Sequence, residues 1–176
     1  MLIHLRRSII ACIAFFAVLG LLYPLAATGI GQALFPHQAN GSITAYGSTL
    51  IGQKWSGPKW FQGRPDTYNP MASGGTNLGP RSKVLVADAA KQIALLKKEG
   101  IKPTSGLVTT SGSGVDPDIS PAGAYAQVDA VAKARGLPAS QITQLVTSHI
   151  TGAQLGFLGA AYVNVLKLNE ALAKLK

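Results

Sequence analysis

The chain has 176 residues, 47% of them hydrophobic, with sixteen Lys and Arg against seven Asp and Glu, a net charge of +9. Its single cysteine, Cys12, excludes an intrachain disulfide and a cysteine-based zinc site. Apart from Arg6-Arg7 and Lys97-Lys98 the basic residues stand singly, without the aromatic interleaving of a nucleic-acid surface, so a partner of that kind is set aside.

The charge is unevenly spread. No Asp, Glu, Lys or Arg occurs from Ser8 to Gln53. Within that gap Ile9 to Gly31 is almost purely apolar, and as a helix it spans roughly 35 Å, enough for a hydrocarbon core of about 30 Å. It is too long for the apolar core of a cleaved signal peptide, so a retained transmembrane anchor over 9–34 is expected. Pro24 removes one helical hydrogen bond and predicts a kink near Tyr23. Arg6 and Arg7 precede the helix closely, whereas the next cation, Lys54, follows far behind. Positive residues at a helix end stay cytoplasmic, which predicts a cytoplasmic tail over 1–8 and an extracytoplasmic C-terminal domain. Small residues at Ala11, Ala14, Ala17 and Gly20 form a stripe that suits close helix packing, and equally the ordinary composition of membrane helices.

Residues 35–46 read as a linker and 47–176 as the domain. Thr49 to Trp55 is expected as a short strand. Ser56 to Arg81 is dense in Gly, Pro, Ser, Asn and Thr and predicts turns, with Trp60, Phe61 and Tyr68 available to pin it. Ser82 caps a helix to Glu99, stopped by Gly100, with Val86, Ala89, Ala90, Ile93 and Leu96 as its apolar face. Gly106 to Thr110 is expected as a buried strand and Ser111 to Ile119 as a Gly-rich loop. Ser120-Pro121 opens a helix to Arg135, stopped at Gly136. Further helices are expected over 139–148 and from Asn164, the last with Val165, Leu168, Leu172 and Leu175 on one stripe. The fold class is α+β: one transmembrane helix, then a small, helix-dominated extracytoplasmic domain.

Little in the chain points to chemistry. Neither Ser73-Gly74-Gly75 nor Ser111-Gly112-Ser113-Gly114 continues into a phosphate-binding Gly-Lys-Ser/Thr. A Ser111 or Ser113, His149 and Asp116 triad lacks a Gly-x-Ser-x-Gly elbow, so no catalytic residue is assigned. Two histidines beyond the extreme N-terminus and the Asp116-Pro117-Asp118 pair make no metal site. The over-specified residues are polar ones in Gly-rich loops: Gln53, Arg64, Asn77, Ser111, Ser113, Asp116 and Asp118. Such residues fix turns through local hydrogen bonds, or present a rigid polar face to a partner.

Taken in order, Gly47-Ser48 with Leu50-Ile51-Gly52-Gln53, Phe61-Gln62-Gly63-Arg64-Pro65, Ala72 to Pro80, Val108 to Pro117, Gln127 with Val131 to Gly136, and Val163 to Asn169 resemble the KdpC family. These are the C subunits of the Kdp-type high-affinity potassium-transporting P-type ATPases of bacteria. The sequence departs from that pattern at Asp66 and Thr76, where the family usually has Ser, at Val115, usually Leu, and at Ala130, commonly Arg. The resemblance implies two partners: a channel-like A subunit carrying potassium and an ATP-hydrolysing B subunit. It implies a non-catalytic accessory role, a chaperone that raises the B subunit's affinity for ATP, with the glutamine matching Gln127 tied to nucleotide. No cofactor is expected on this chain alone, and ATP only together with the B subunit. An extracytoplasmic Gln127 conflicts with a direct contact to cytoplasmic ATP, so an indirect effect is the expectation. Arg64, Asn77, Ser111, Ser113 and Asp116 are the candidate partner-interface residues. An anchored extracytoplasmic binding or assembly module of another complex, and an anchored hydrolase, stay open from the residues alone.

Overall fold

The computed structural model describes residues 2–175. The chain divides into two compact units, 1–43 and 44–176.

The first unit is dominated by a helical run from Leu2 to Leu34, long and apolar enough to cross a membrane. Helix α1 (Leu2–Phe15) includes the segment expected as a tail and carries no buried residue. A π-helical stretch, Phe16–Leu22, follows, and helix α2 (Tyr23–Leu34) completes the run. The π geometry shows at its end, where the Tyr23 N–H reaches back to the Val18 carbonyl. It lies immediately before Pro24, which has no N–H to donate and would crowd the carbonyl of a regular helical turn. Widening that turn relieves the conflict, so the irregularity expected near Tyr23 is a change of helical winding over the preceding seven residues. The expected linker holds a short helix, α3 (Pro36–Ala39), and Gln32 and Asn40 exchange side-chain amide bonds at 3.2 and 3.1 Å.

The second unit is α+β with helices dominant. It contains α4 (Lys83–Lys98), α5 (Ser105–Val108), α6 (Pro121–Tyr125), α7 (Val128–Arg135), α8 (Ala139–Ser148) and α9 (Val165–Ala173). The strands are β1 (Ile43–Thr44), which straddles the unit boundary, β2 (Gly47–Ser48), β3 (Asp118–Ile119), β4 (Ile150–Thr151) and β5 (Tyr162–Asn164). Strand β5 runs between β3 and β4, antiparallel to both, pairing Ile119 and Ile150 with the two sides of Val163.

The capping signals act as expected. The Ser82 hydroxyl accepts from Leu85 N–H, Ser120 from Gly123 N–H and the Asn164 side chain from Lys167 N–H. Gly100 and Gly136 adopt the left-handed conformation that closes α4 and α7. One core gathers Phe61, Leu96, Ile101, Leu107 and Ile119 with Val128, Val131, Ile142, Val146, Val163, Leu168 and Leu172. Each large side chain removed from water there contributes roughly 1.5–3 kcal/mol.

Four expectations need correction. Thr49 to Trp55 forms no strand; it is irregular, tied to the Gly-rich loop by Gly52 N–H donating to the Val115 carbonyl at 2.7 Å. Gly106 to Thr110 is not a strand either. Its apolar residues sit on the single turn of α5, and Thr109 Oγ1 donates to the Ser105 carbonyl. The helix expected over 121–135 is broken between Tyr125 and Val128. On α4, Val86 and Ala90 face solvent, and the inward face runs Leu85, Ala89, Ile93 and Leu96.

Candidate functional site

Two sets of polar side chains organise the domain. The first holds the chain from Lys59 to Gln62, which leaves a turn closed by Trp60 N–H on the Gly57 carbonyl and has no strand partner. Asn169, fully buried on α9, accepts from Phe61 N–H at 2.9 Å and donates to the Phe61 carbonyl at 2.8 Å. Gln127, fully buried between α6 and α7, does the same to the next residue: it accepts from Gln62 N–H at 2.8 Å and donates to the Gln62 carbonyl at 3.0 Å. The two amides thus satisfy both backbone groups of two consecutive residues, the bonds that flanking strands would otherwise supply.

The break between α6 and α7 follows from this grip. In a continuous helix the Gln127 N–H would bond the Gly123 carbonyl. Here that N–H turns to Ala124, and the side-chain Nε2 takes the Gly123 carbonyl at 3.1 Å. All of the carboxamide's hydrogens and its oxygen are thereby engaged. Arg135 extends the clamp. Its Nε donates to the Lys59 carbonyl, its guanidinium donates to the Leu172 carbonyl, and it lies 4.6 Å over the Trp60 ring.

The second set builds the loop cluster. Asp66 Oδ1 accepts from Ser111 N–H at 2.7 Å, and Oδ2 accepts from the Ser111 hydroxyl at 2.6 Å and from Asp116 N–H at 3.1 Å. Ser111 Oγ accepts from Gly114 N–H, and the Ser113 hydroxyl lies 3.2 Å from it. Because the Ser111 proton points to Asp66, Ser113 donates to Ser111. The hydroxyls thus form a directed relay ending on a carboxylate. Arg64 donates to the Thr109 and Thr110 carbonyls and to Thr109 Oγ1, and pairs with Asp116 at 3.7 Å. Both partners of that pair remain about a quarter exposed, so its net worth is small. The Tyr68 hydroxyl donates to the Arg64 carbonyl at 2.5 Å. Burial first, then the nearby Asp66 and Asp116 charges, pushes its pKa up and keeps it a donor.

Glycine is required where these loops cross. Gly114 has φ +70°, and a Cβ there would sit 2.8 Å from the Gly74 carbonyl oxygen. Gly74 N–H and the Ser73 hydroxyl both donate to the Ser113 carbonyl, locking the 73–75 loop onto the 111–114 loop. Of the five interface candidates, Arg64, Ser111, Ser113 and Asp116 are thus brought into one network. Asn77 is not; it is exposed, with a left-handed backbone at φ +54°. Gln53 braces a separate turn, accepting from Ser48 N–H at 3.2 Å in the amide orientation that also lets it donate to the Tyr46 carbonyl.

The arrangement does not assemble a nucleophile. Ser111 is buried, and its hydroxyl is committed as both donor and acceptor. His149 Nδ1 faces the Leu145 carbonyl at 2.8 Å and the neighbouring Ser148 hydroxyl at 3.2 Å, and Asp116 Oδ1 accepts from Asp118 N–H, so neither completes a relay with Ser111 or Ser113. Among the described residues no group of three His, Cys, Asp or Glu is positioned for a metal ion. Next to the cluster, a cavity of about 460 Å³ opens between α4 and the loops, lined by Leu78, Leu85, Gln92, Leu95 and Thr110 among others.

The residues that sequence reasoning missed are Asp66 as an anchor and Asn169 as a clamp. The available signal was an amide standing in an apolar helical stripe, between Leu168 and Leu172 for Asn169 and beside Val128 and Val131 for Gln127.

The family described as "K+-transporting ATPase, c chain" matches residues 5–174. The chain belongs to the KdpC family. It is 46% identical to the potassium-transporting ATPase KdpC subunit of Caulobacter vibrioides, covering 98% of this chain and 93% of that protein. The KdpC subunit of Gemmatimonas aurantiaca is also 46% identical, over 99% of this chain and 94% of its own length. That of Rhodopseudomonas palustris is 45% identical, over 98% and 97%. The match thus takes in both the apolar helix and the whole domain, including the clamp and the loop cluster of this KdpC-family chain.

Proposed function

We propose that this chain is the accessory subunit of an ATP-driven potassium-uptake complex, anchored by its N-terminal helix with the domain on the extracytoplasmic side. Membership of the KdpC family along nearly the full length carries this reading. The charge asymmetry of Arg6-Arg7 against Lys54 supports the orientation. The partners are a potassium-carrying membrane subunit and the subunit that hydrolyses ATP.

The subunit stabilises one state of the complex, and the ATP affinity of the hydrolysing subunit rises by linkage. Two observations favour this indirect route over a Gln127–nucleotide contact. Gln127 is buried with its amide fully engaged, and releasing it would leave Gln62 and Gly123 groups without partners. The loop cluster of Arg64, Asp66, Ser111, Ser113 and Asp116 is by contrast only partly buried, and its internal bonds hold the 64–66 and 111–116 loops in one shape that a partner subunit can meet. The chain binds no nucleotide on its own in this reading.

The test is reconstitution of the complex with and without this chain, measuring ATPase activity against ATP concentration. A lower KM with the chain present is expected; an unchanged profile would count against the chaperone role. A cysteine at Ser140, in a Cys12→Ser background, reports topology in intact cells. Labelling only after the cytoplasmic side is opened would refute the outside orientation.

A further inference from the structure

Helix α4 is the longest helix of the domain, yet only one of its sixteen residues, Leu96, joins the core; the nine residues of α9 bury five. Val84 is 56% exposed, Val86 63% and Leu95 45%. Open space borders the helix on two sides. The cavity of about 460 Å³ beside the loop cluster parts Leu85, Ala89 and Gln92 from Val108 and Thr110. A second, of about 540 Å³, parts Lys98 and Glu99 from Ala130 and Lys133, and Leu95 lines both. Side chains that border a void lack the dispersion contacts of a filled interior, so little packing holds this helix down. Polar bonds do not replace that packing. Among the described residues no side chain from Lys83 to Lys98 makes a hydrogen bond or ion pair outside the helix, and the pair of Lys91 with Asp88 is internal to it.

The two ends are held differently. At the C-terminal end Leu96 and Ile101 are buried, Ile101 N–H returns to the Leu96 carbonyl at 2.8 Å, and Gln62 Nε2 donates to Glu99 Oε2 at 3.1 Å. At the N-terminal end the helix hangs on a strap, Thr76 to Arg81. Among the described residues the strap makes no hydrogen bond to another part of the domain; the Gly79 carbonyl only accepts from Ser82 N–H, at the helix start. Behind the strap, the Ser73 hydroxyl and Gly74 N–H are fastened to the Ser113 carbonyl.

We propose that α4 is a hinged arm. Lys83 to Leu95 lift away from α5 as a helix, about a hinge at Leu96 to Ile101, and the lift widens the cavity beside the loop cluster. The helix outlasts the lift because twelve of its sixteen residues are Ala, Leu, Lys or Gln, all strong helix formers, and because Ser82 caps its start. The strap carries the movement to the 111–114 loop through the Ser73 and Gly74 bonds, so cavity and loop cluster change shape together.

The experiment uses the full chain with Cys12→Ser in detergent, spin-labelled at two exposed positions, and reads distance distributions by pulsed electron resonance. Val86→Cys with Ser140→Cys reports the arm against α8; Lys98→Cys with Ser140→Cys reports the hinge end. The first distribution should be about twice as wide as the second. Gln92→Leu, which gives the cavity wall an apolar side chain without removing a bond, should narrow the first to the width of the second. Equal widths at both pairs, narrow or broad, overturn the hinge. A width that Gln92→Leu leaves unchanged also overturns it, because thin packing would then not be what frees the arm. Hydrogen exchange supplies the last check: amides from Val86 to Leu95 should stay protected, and their loss of protection would mean a melting helix rather than a lifting one.

Discussion

Gln127 and Asn169 each satisfy both backbone groups of one residue through a side-chain amide, and Gln127 also serves the Gly123 carbonyl; the consequence is measurable at single positions. Gln127→Ala leaves Gln62 N–H, the Gln62 carbonyl and the buried Gly123 carbonyl without these partners and empties the space of a fully buried side chain. The expected loss is about 3 kcal/mol of stability, read by chemical denaturation of the purified chain. A variant that keeps its stability and loses only ATP affinity in the complex would argue for a direct nucleotide contact instead. Asp118 makes a second residue-scale prediction. Burial, reinforced by Asp116 and opposed by the Asn164 hydrogen bond and Lys167, raises its pKa above the ordinary 3.8. Such a carboxyl holds its proton more tightly folded than unfolded, so charging it costs stability as pH rises from 3.8 through the folded value. Asp118→Asn keeps the Oδ1 acceptor for Asn164 and removes that cost. Its melting temperature should exceed the parent's at neutral pH, and the difference should close as pH falls to 3.8 and below.

At the scale of elements, two glycines with similar backbones should respond differently. Gly136, at φ +67°, has nothing within 4 Å of an added Cβ, so Gly136→Ala should cost only the left-handed strain, about 1 kcal/mol. Gly114, at φ +70°, would drive its Cβ against the Gly74 carbonyl oxygen and part the two loops. Gly114→Ala should therefore cost at least twice as much, measured as the shift in denaturation midpoint. The same contrast explains what was readable from the chain. Helix ends were legible because Ser82, Ser120, Asn164, Gly100 and Gly136 act through bonds within a few residues. Strands β3, β4 and β5 were not, because two or three residues carry no periodicity, and Val163 is recognised only by partners at Ile119 and Ile150. The run around Leu107 fits strand and helix alike at that length, and the Thr104 to Val108 turn decides it. The loop cluster was legible in its residue types, since Arg64, Ser111, Ser113 and Asp116 do share one network. Their anchor at Asp66 lies 45 residues from Ser111 and has no local signal; Asn169 stands out as an amide in an apolar stripe, but nothing near it points to Phe61, 108 residues away.

On the scale of the whole molecule, the anchor and the domain separate in their energetics. Every member of the hydrophobic core lies between Phe61 and Leu172, and no residue of α1, the π-helical stretch or α2 is buried. Residues 44–176 should therefore fold alone, with a denaturation midpoint matching that of the full chain in detergent. Function should part from folding at this point. A helix that fixes the domain beside its partners replaces a bimolecular encounter with an intramolecular one, at an effective concentration on the order of millimolar. On the proposed role in ATP affinity, the isolated domain, added to a complex lacking this subunit, should lower the KM for ATP only at concentrations far above those at which the full chain suffices. Full restoration at stoichiometric amounts would mean that the helix is only an anchor in synthesis. No restoration at any concentration would mean that α1 and α2 themselves carry part of the coupling, through their own packing against the membrane subunits.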